Sequence, residues 1–189
     1  MARPKRLHRF GRPRLYHADM EGFSKAIQQP EYVHVLLNHF PITGLFVGLL
    51  FLLVAILNNN RNAQLISLVV VGLLALSAWP VAHYGEQAYD RVLSMTDDTG
   101  SLYLKHHEEL ADRWIFLYYL TAGAATVSLV VGWKKPSFLR LAAGVVALLA
   151  VGSLMAGAMI ADCGGKIRHR EFRYGPPPTE QHHSDSGSG

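Results

Sequence analysis

Six of the ten histidines sit at the margins of long uncharged stretches: His34, His39, His83, His106, His107 and His169. Neutral imidazole binds iron, zinc and copper(II), and ionisable groups at membrane depth are costly enough to mark functional sites. Glu86, Glu108, Glu109, Asp162 and Glu171 lie within a few residues of these histidines and add carboxylate to the ligand supply. Cys163 is the only cysteine, so a thiolate cluster and an intrachain disulfide are both excluded. No Cys-x-x-Cys-His run exists to hold a covalent c-type haem.

Spacing narrows the roles. His34 and His39 are about 140° apart around a regular helix, so one ligand does not face both, although Pro41 starts or kinks the helix there. Asn38 shares the His34 face and is placed to orient its imidazole. His106 and His107 are about 100° apart, so one of them points inward. Lys105 and Glu109, and Glu109 and Arg113, form i,i+4 pairs that assign Glu109 to a solvated face. His83 and Glu86, three apart, can share a face.

The elements that must carry these residues are membrane helices. Phe40–Leu57, Ala63–Ala82, Trp114–Trp133 and Leu141–Ala161 contain no charged residue. Each is close to the ~20 helical residues needed to cross ~30 Å of hydrocarbon. Lipid offers the backbone no partners, which forces helix rather than strand. The expected fold is therefore an all-α integral membrane protein with four transmembrane helices, at about 40–57, 63–83, 114–133 and 138–161, within a domain spanning 30–173. The polar turn "NNNRN" and the turn "KKPS" are short, so the helices form two antiparallel hairpins with both termini on one side. The one long polar connection is Tyr84–Asp112, and "DCGGK" reads as a helix stop.

All six histidines then share one membrane face. That face also carries most of the 18 Lys/Arg, against Arg61, Lys134, Lys135 and Arg140 on the other. The positive-inside rule puts both termini in the cytoplasm, with the chain in a bacterial inner membrane. Residues 1–29 form a basic segment suited to anionic headgroups, with a short helix around Phe23–Gln28, and no cleavable signal peptide is expected. Residues 174–189 have the composition of a disordered tail. The two hairpins also read as a tandem repeat: His34/His39 and then His106/His107 precede their first helices, and His83 and then His169 follow their second.

The stretches "HVLLNHFPITG" (His34–Gly44), "GEQA" (Gly85–Ala88), "HHEELA" (His106–Ala111) and "GGKIRHREFR" (Gly164–Arg173) resemble the DUF2231 family of small bacterial four-helix membrane proteins. The resemblance covers about residues 33–173. The family carries a small residue, glycine and glutamate after helix two where this chain has "HYGE", so His83 is particular to this chain. The family's His-Glu step corresponds best to His107–Glu108, and the resemblance implies no established reaction.

Three functions follow. A haem b protein would move electrons, its iron clamped by histidines from two helices; the candidates are His34, His39, His106 and His107, with His39 and His107 the best pair. Gly44, Gly48 and Gly123 leave room for the macrocycle. A bare Zn, Fe or Cu ion would draw on His34, His39, His83, Glu86, His107, Glu108 and His169, with Glu171 in support. In either case the histidine-rich face would receive a redox-protein partner. The third function is a non-catalytic anchor or partner subunit of a larger complex. Nucleic acid is a poor partner, because the basic residues flank membrane helices.

Overall fold

In the computed structural model, described for residues 14–178 with side chains from Met20 onward, all regular structure is helical. Helix α1 spans Arg14–Ala26. Four long helices follow: α2 Pro30–Leu57, α3 Arg61–Leu93, α4 Asp98–Lys134 and α5 Pro136–Arg168. All four are long and apolar enough to cross a membrane. The basic residues 1–13 and the tail beyond residue 178 lie outside the described residues.

Local chemistry sets the boundaries. Pro30 and Pro136 occupy first-turn positions, where a missing N–H costs nothing. Asn59 turns the chain with φ of 50°, and the Asn60 side chain accepts from Ala63 N at 3.0 Å to cap α3. Asp97 caps α4 by accepting from Gly100 N at 2.8 Å. Pro41 disturbs α2 into a π-turn over Phe40–Gly44, because proline removes one ladder donor. Ser77 marks a similar interruption in α3, three residues before Pro80.

The helices overrun the charge-free windows. The expected long connection is almost wholly helix: only residues 94–97 separate α3 from α4. Nor does the double glycine end α5, which continues through Gly164 and Gly165 to Arg168. Both extensions have a packing reason. Tyr103, Leu104, Cys163 and Ile167 form a second small core with Tyr89, Val92 and Leu110, which only continuing helices can assemble.

The main core runs along the spans and contains Leu45, Leu52, Leu68, Val71, Ala75, Ala143, Val146 and Ala150, all fully buried. On α5 the inward stripe is Ala143, Ala147, Ala150, Ser153, Ala156 and Gly157, small residues that let neighbouring helices approach closely. The outward residues are large and apolar, among them Phe46, Phe51, Ile66, Leu73, Val127, Leu141, Leu148 and Met155. An apolar surface of that extent is suited to hydrocarbon, not water.

At the histidine-rich end the helices pack as two pairs. Pro30–Leu37 of α2 lies on Ala78–Leu93 of α3, and Asp98–Trp114 of α4 lies on α5. Each pair is closely packed internally, and the two pairs touch each other only sparsely.

Candidate functional site

His34 is on the first turns of α2, anchored to α3 where Glu31 pairs with Arg91 at 2.9 Å. Its Nδ1 donates to the Val81 carbonyl of α3 at 2.8 Å. The ring comes that close because residue 85 is glycine: a Cβ there would stand 2.9 Å from Nδ1 and 3.0 Å from Cε1 of His34. Val81 is four residues before Gly85, so the imidazole takes the second lone pair of a carbonyl already in the helix ladder.

His107 repeats this arrangement in the other pair. Its Nδ1 donates to the Ile160 carbonyl of α5 at 2.9 Å. Gly164, four residues after Ile160, lies beneath the ring, where a Cβ would meet Nδ1 and Cε1 at 3.1 Å each. The histidines are 73 residues apart, and the carbonyls and glycines 79 apart. One contact is thus made twice, an imidazole lying over a glycine of the neighbouring helix.

The two rings meet. Their centroids are 6.3 Å apart and their planes cross at 82°. A carbonyl only accepts, so each Nδ1 carries the proton, and each Nε2 keeps a free lone pair in the neutral ring. Metal-binding histidines are commonly held in this way, the ring nitrogen far from the metal donating to a backbone carbonyl. Both residues are half-buried. Among the described residues no group of three or more His, Cys, Asp or Glu is placed to hold an ion.

The other expected ligands lie elsewhere. His39 is exposed, with its Nδ1 donating to the Val35 carbonyl of its own helix at 3.1 Å, so the ring that faces His107 is His34 and not His39. The reason is angular: five residues of helix carry His39 away from the face that His34 occupies. His106 turns outward beside Glu109, 3.7 Å away. His83 stacks on Trp79 at 5.8 Å and pairs through Nε2 with Gln87 Nε2 at 2.8 Å. His169 pairs with Glu171 at 2.9 Å in solvent, and Glu86 and Glu108 are exposed. A backbone hydrogen bond and then His169 hold the Glu171 carboxyl below its ordinary range.

Beyond the pair, Arg173 folds back over the end of α5. Its guanidinium donates to both Asp97 oxygens at 3.0 Å, to Ile167 O at 2.8 Å and to Lys166 O at 2.7 Å. Arg170 joins Asp97 at 3.1 Å. This clasp ties the start of α4 to the end of α5, the pair that holds His107. Hydrogen bonding from Arg173, then from the Gly100 N–H, pulls the Asp97 carboxyl down to about 2.

Sequence reasoning missed Gly85 and Gly164 as parts of the site and read the second as a helix stop. The usable signal was the spacing, since each glycine follows its repeat's apolar helix at a matching interval. Two surface cavities lie away from the pair. One, of 550 Å³, is lined by His106, Glu109, Arg113, Asp162 and Lys166 between α4 and α5. The other, of 540 Å³, is an apolar groove between α3 and α4 that includes Gly72, Trp79, Tyr119 and Gly123. No protein-family model, curated protein or solved structure matches the chain.

Proposed function

We propose that this is a membrane-embedded electron-transfer protein whose His34–His107 pair holds a metal centre, either haem b iron or a bare Fe or Cu ion; a Zn ion at the pair would be redox-inert and would leave it a metal-binding membrane protein only. One observation carries the reading: two imidazoles from different helix pairs meet at 6.3 Å, each with its Nδ1 committed to a backbone carbonyl. The iron or copper would pass one electron at a time, to or from a redox-protein partner docking at the exposed polar end. His39, His83, Glu86, His106, Glu108 and His169 surround that end rather than the pair and would contribute to its surface.

The same reading takes the four long helices as two antiparallel hairpins in a bacterial inner membrane, with both termini cytoplasmic. The three-residue connection Asn58–Asn60 supports the first hairpin, and the excess of Lys/Arg at the histidine end supports the orientation. Helix α1 exposes Met20 and Phe23 beside Lys25, which suits a helix lying on headgroups. Membership in the DUF2231 family is part of this proposal, on the motifs quoted above.

A second reading is a non-catalytic anchor or partner subunit. Exposed Phe172 and Tyr174, beside Arg168 and Arg170, support it as a docking patch. The separating experiment is elemental analysis and an oxidised-minus-reduced absorption spectrum of detergent-purified protein, native and His34→Ala. A stoichiometric metal or haem that is lost in the variant supports the first reading. A native protein with neither leaves the anchor.

A further inference from the structure

We infer that the group held by His34 and His107 is a haem-type planar tetrapyrrole, gripped on opposite faces with its two imidazole planes crossed. The inference rests on the metal-centre reading and adds the class of the group and its orientation.

Ligand number is the first argument. Protein sites for bare zinc supply three or four ligands, and among the described residues no such set exists around the pair. Iron inside a tetrapyrrole already has four nitrogens and asks the protein for two. Two imidazoles match that demand.

Distance is the second. With metal–nitrogen bonds of about 2.0–2.1 Å and about 1.1 Å from nitrogen to ring centre, imidazoles on opposite sides of one ion have centres about 6.2–6.4 Å apart. On a tetrahedral ion the same bonds give about 5.2 Å. The observed 6.3 Å matches the opposed arrangement.

Symmetry and surroundings are the third. His34 and His107 make the same contact in the two different helix pairs, so they present equivalent ligands to whatever lies between them. The two helix pairs touch sparsely at this end. A flat apolar ring there would lie between two pairs that are each already well packed. The carbonyl of Val81 and that of Ile160 fix the rotation of each imidazole, which sets the 82° between their planes.

The crossed planes give the inference its own readout. Parallel axial imidazoles split the two iron d orbitals they overlap and give an ordinary rhombic low-spin spectrum. Perpendicular imidazoles each raise a different one of these orbitals by the same amount, leave the two nearly degenerate, and give a strongly anisotropic signal with one large g value. The experiment is electron paramagnetic resonance of the oxidised full-length protein, purified in detergent from haem-replete cells, with haem and metal content measured on the same sample. The expected result is one b-type haem per chain with the strongly anisotropic signal. His34→Ala and His107→Ala each lose the low-spin signal while helical circular dichroism is unchanged, and added imidazole restores it; His39→Ala keeps it. A haem-free protein whose zinc or copper is lost in the same variants overturns this inference and leaves the metal-centre reading standing. Absence of both haem and metal overturns both. A bound haem with an ordinary rhombic signal overturns the crossed grip.

Discussion

Gly85 lies directly beneath His34: a methyl group at residue 85 would stand 2.9 Å from the imidazole Nδ1, and Gly164 stands in the same relation to His107 at 3.1 Å. The atoms in the way belong to side chains, so an added methyl displaces an imidazole before it moves a backbone. Gly85→Ala and Gly164→Ala are therefore expected to keep the fold and to break the Nδ1–carbonyl bond. Alanine gains about 1 kcal/mol over glycine in helix propensity, while overpacking costs about 1–3 kcal/mol. Gly123→Ala, with nothing within 4 Å of its new Cβ, has the propensity gain alone and is the control. Thermal melts in detergent should rank Gly123→Ala above wild type and both other variants below Gly123→Ala, with metal or haem content reduced only in those two.

His34 and His39 separate the two ways of reading the start of α2. His39→Ala removes an exposed ring bonded to its own helix, and leaves metal or haem content at the wild-type level. His34→Ala removes one of the two meeting rings and should abolish it. Equal losses in the two variants would show that the pair is not the site.

Asp97 and Arg173 make the clasp between α4 and α5 sensitive to acid. The Asp97 carboxyl is held at about 2, below its ordinary 3.8, by Arg173 first and by the Gly100 N–H second. A depressed carboxyl contributes its stability above the unfolded value and loses it as pH falls through the folded one. The clasp should therefore hold at pH 5 and open between about pH 4 and pH 2. Hydrogen exchange of residues 166–173 across that range is the measurement, and Asp97→Asn should show the open-state exchange already at pH 7.

Thr121 and Ser153 form a buried hydrogen bond of 2.9 Å between α4 and α5. Each hydroxyl also reaches a carbonyl of its own helix, Leu117 at 2.8 Å and Leu149 at 3.1 Å. Neither would be left unpaired by loss of the other, so the coupling should be small. A double-mutant cycle with Thr121→Ala and Ser153→Ala is expected to give about 0.6 kcal/mol, the usual scale between membrane helices. A coupling several times larger would mean that these hydroxyls lock the bundle.

The sequence by itself determined four helices, because an uncharged run of twenty apolar residues has a single low-energy form in hydrocarbon, whatever its neighbours do. It also placed the histidines at the margins of those apolar runs. The ends themselves were less legible. Tyr84–Asp112 is polar enough to read as a loop, and Gly164–Gly165 is an ordinary stop signal, yet both stay helical, because Tyr103, Leu104, Cys163 and Ile167 become a core only when two helices continue side by side. Which histidines meet was a question for tertiary structure alone. His34, His39, His106 and His107 are chemically alike, and the choice among them is made by the rotation of each helix against a partner and by a glycine 51 or 57 residues further along the chain. Local sequence fixes the spacing along one helix; it does not fix the angle at which that helix faces another, and the meeting of His34 with His107 is a matter of that angle.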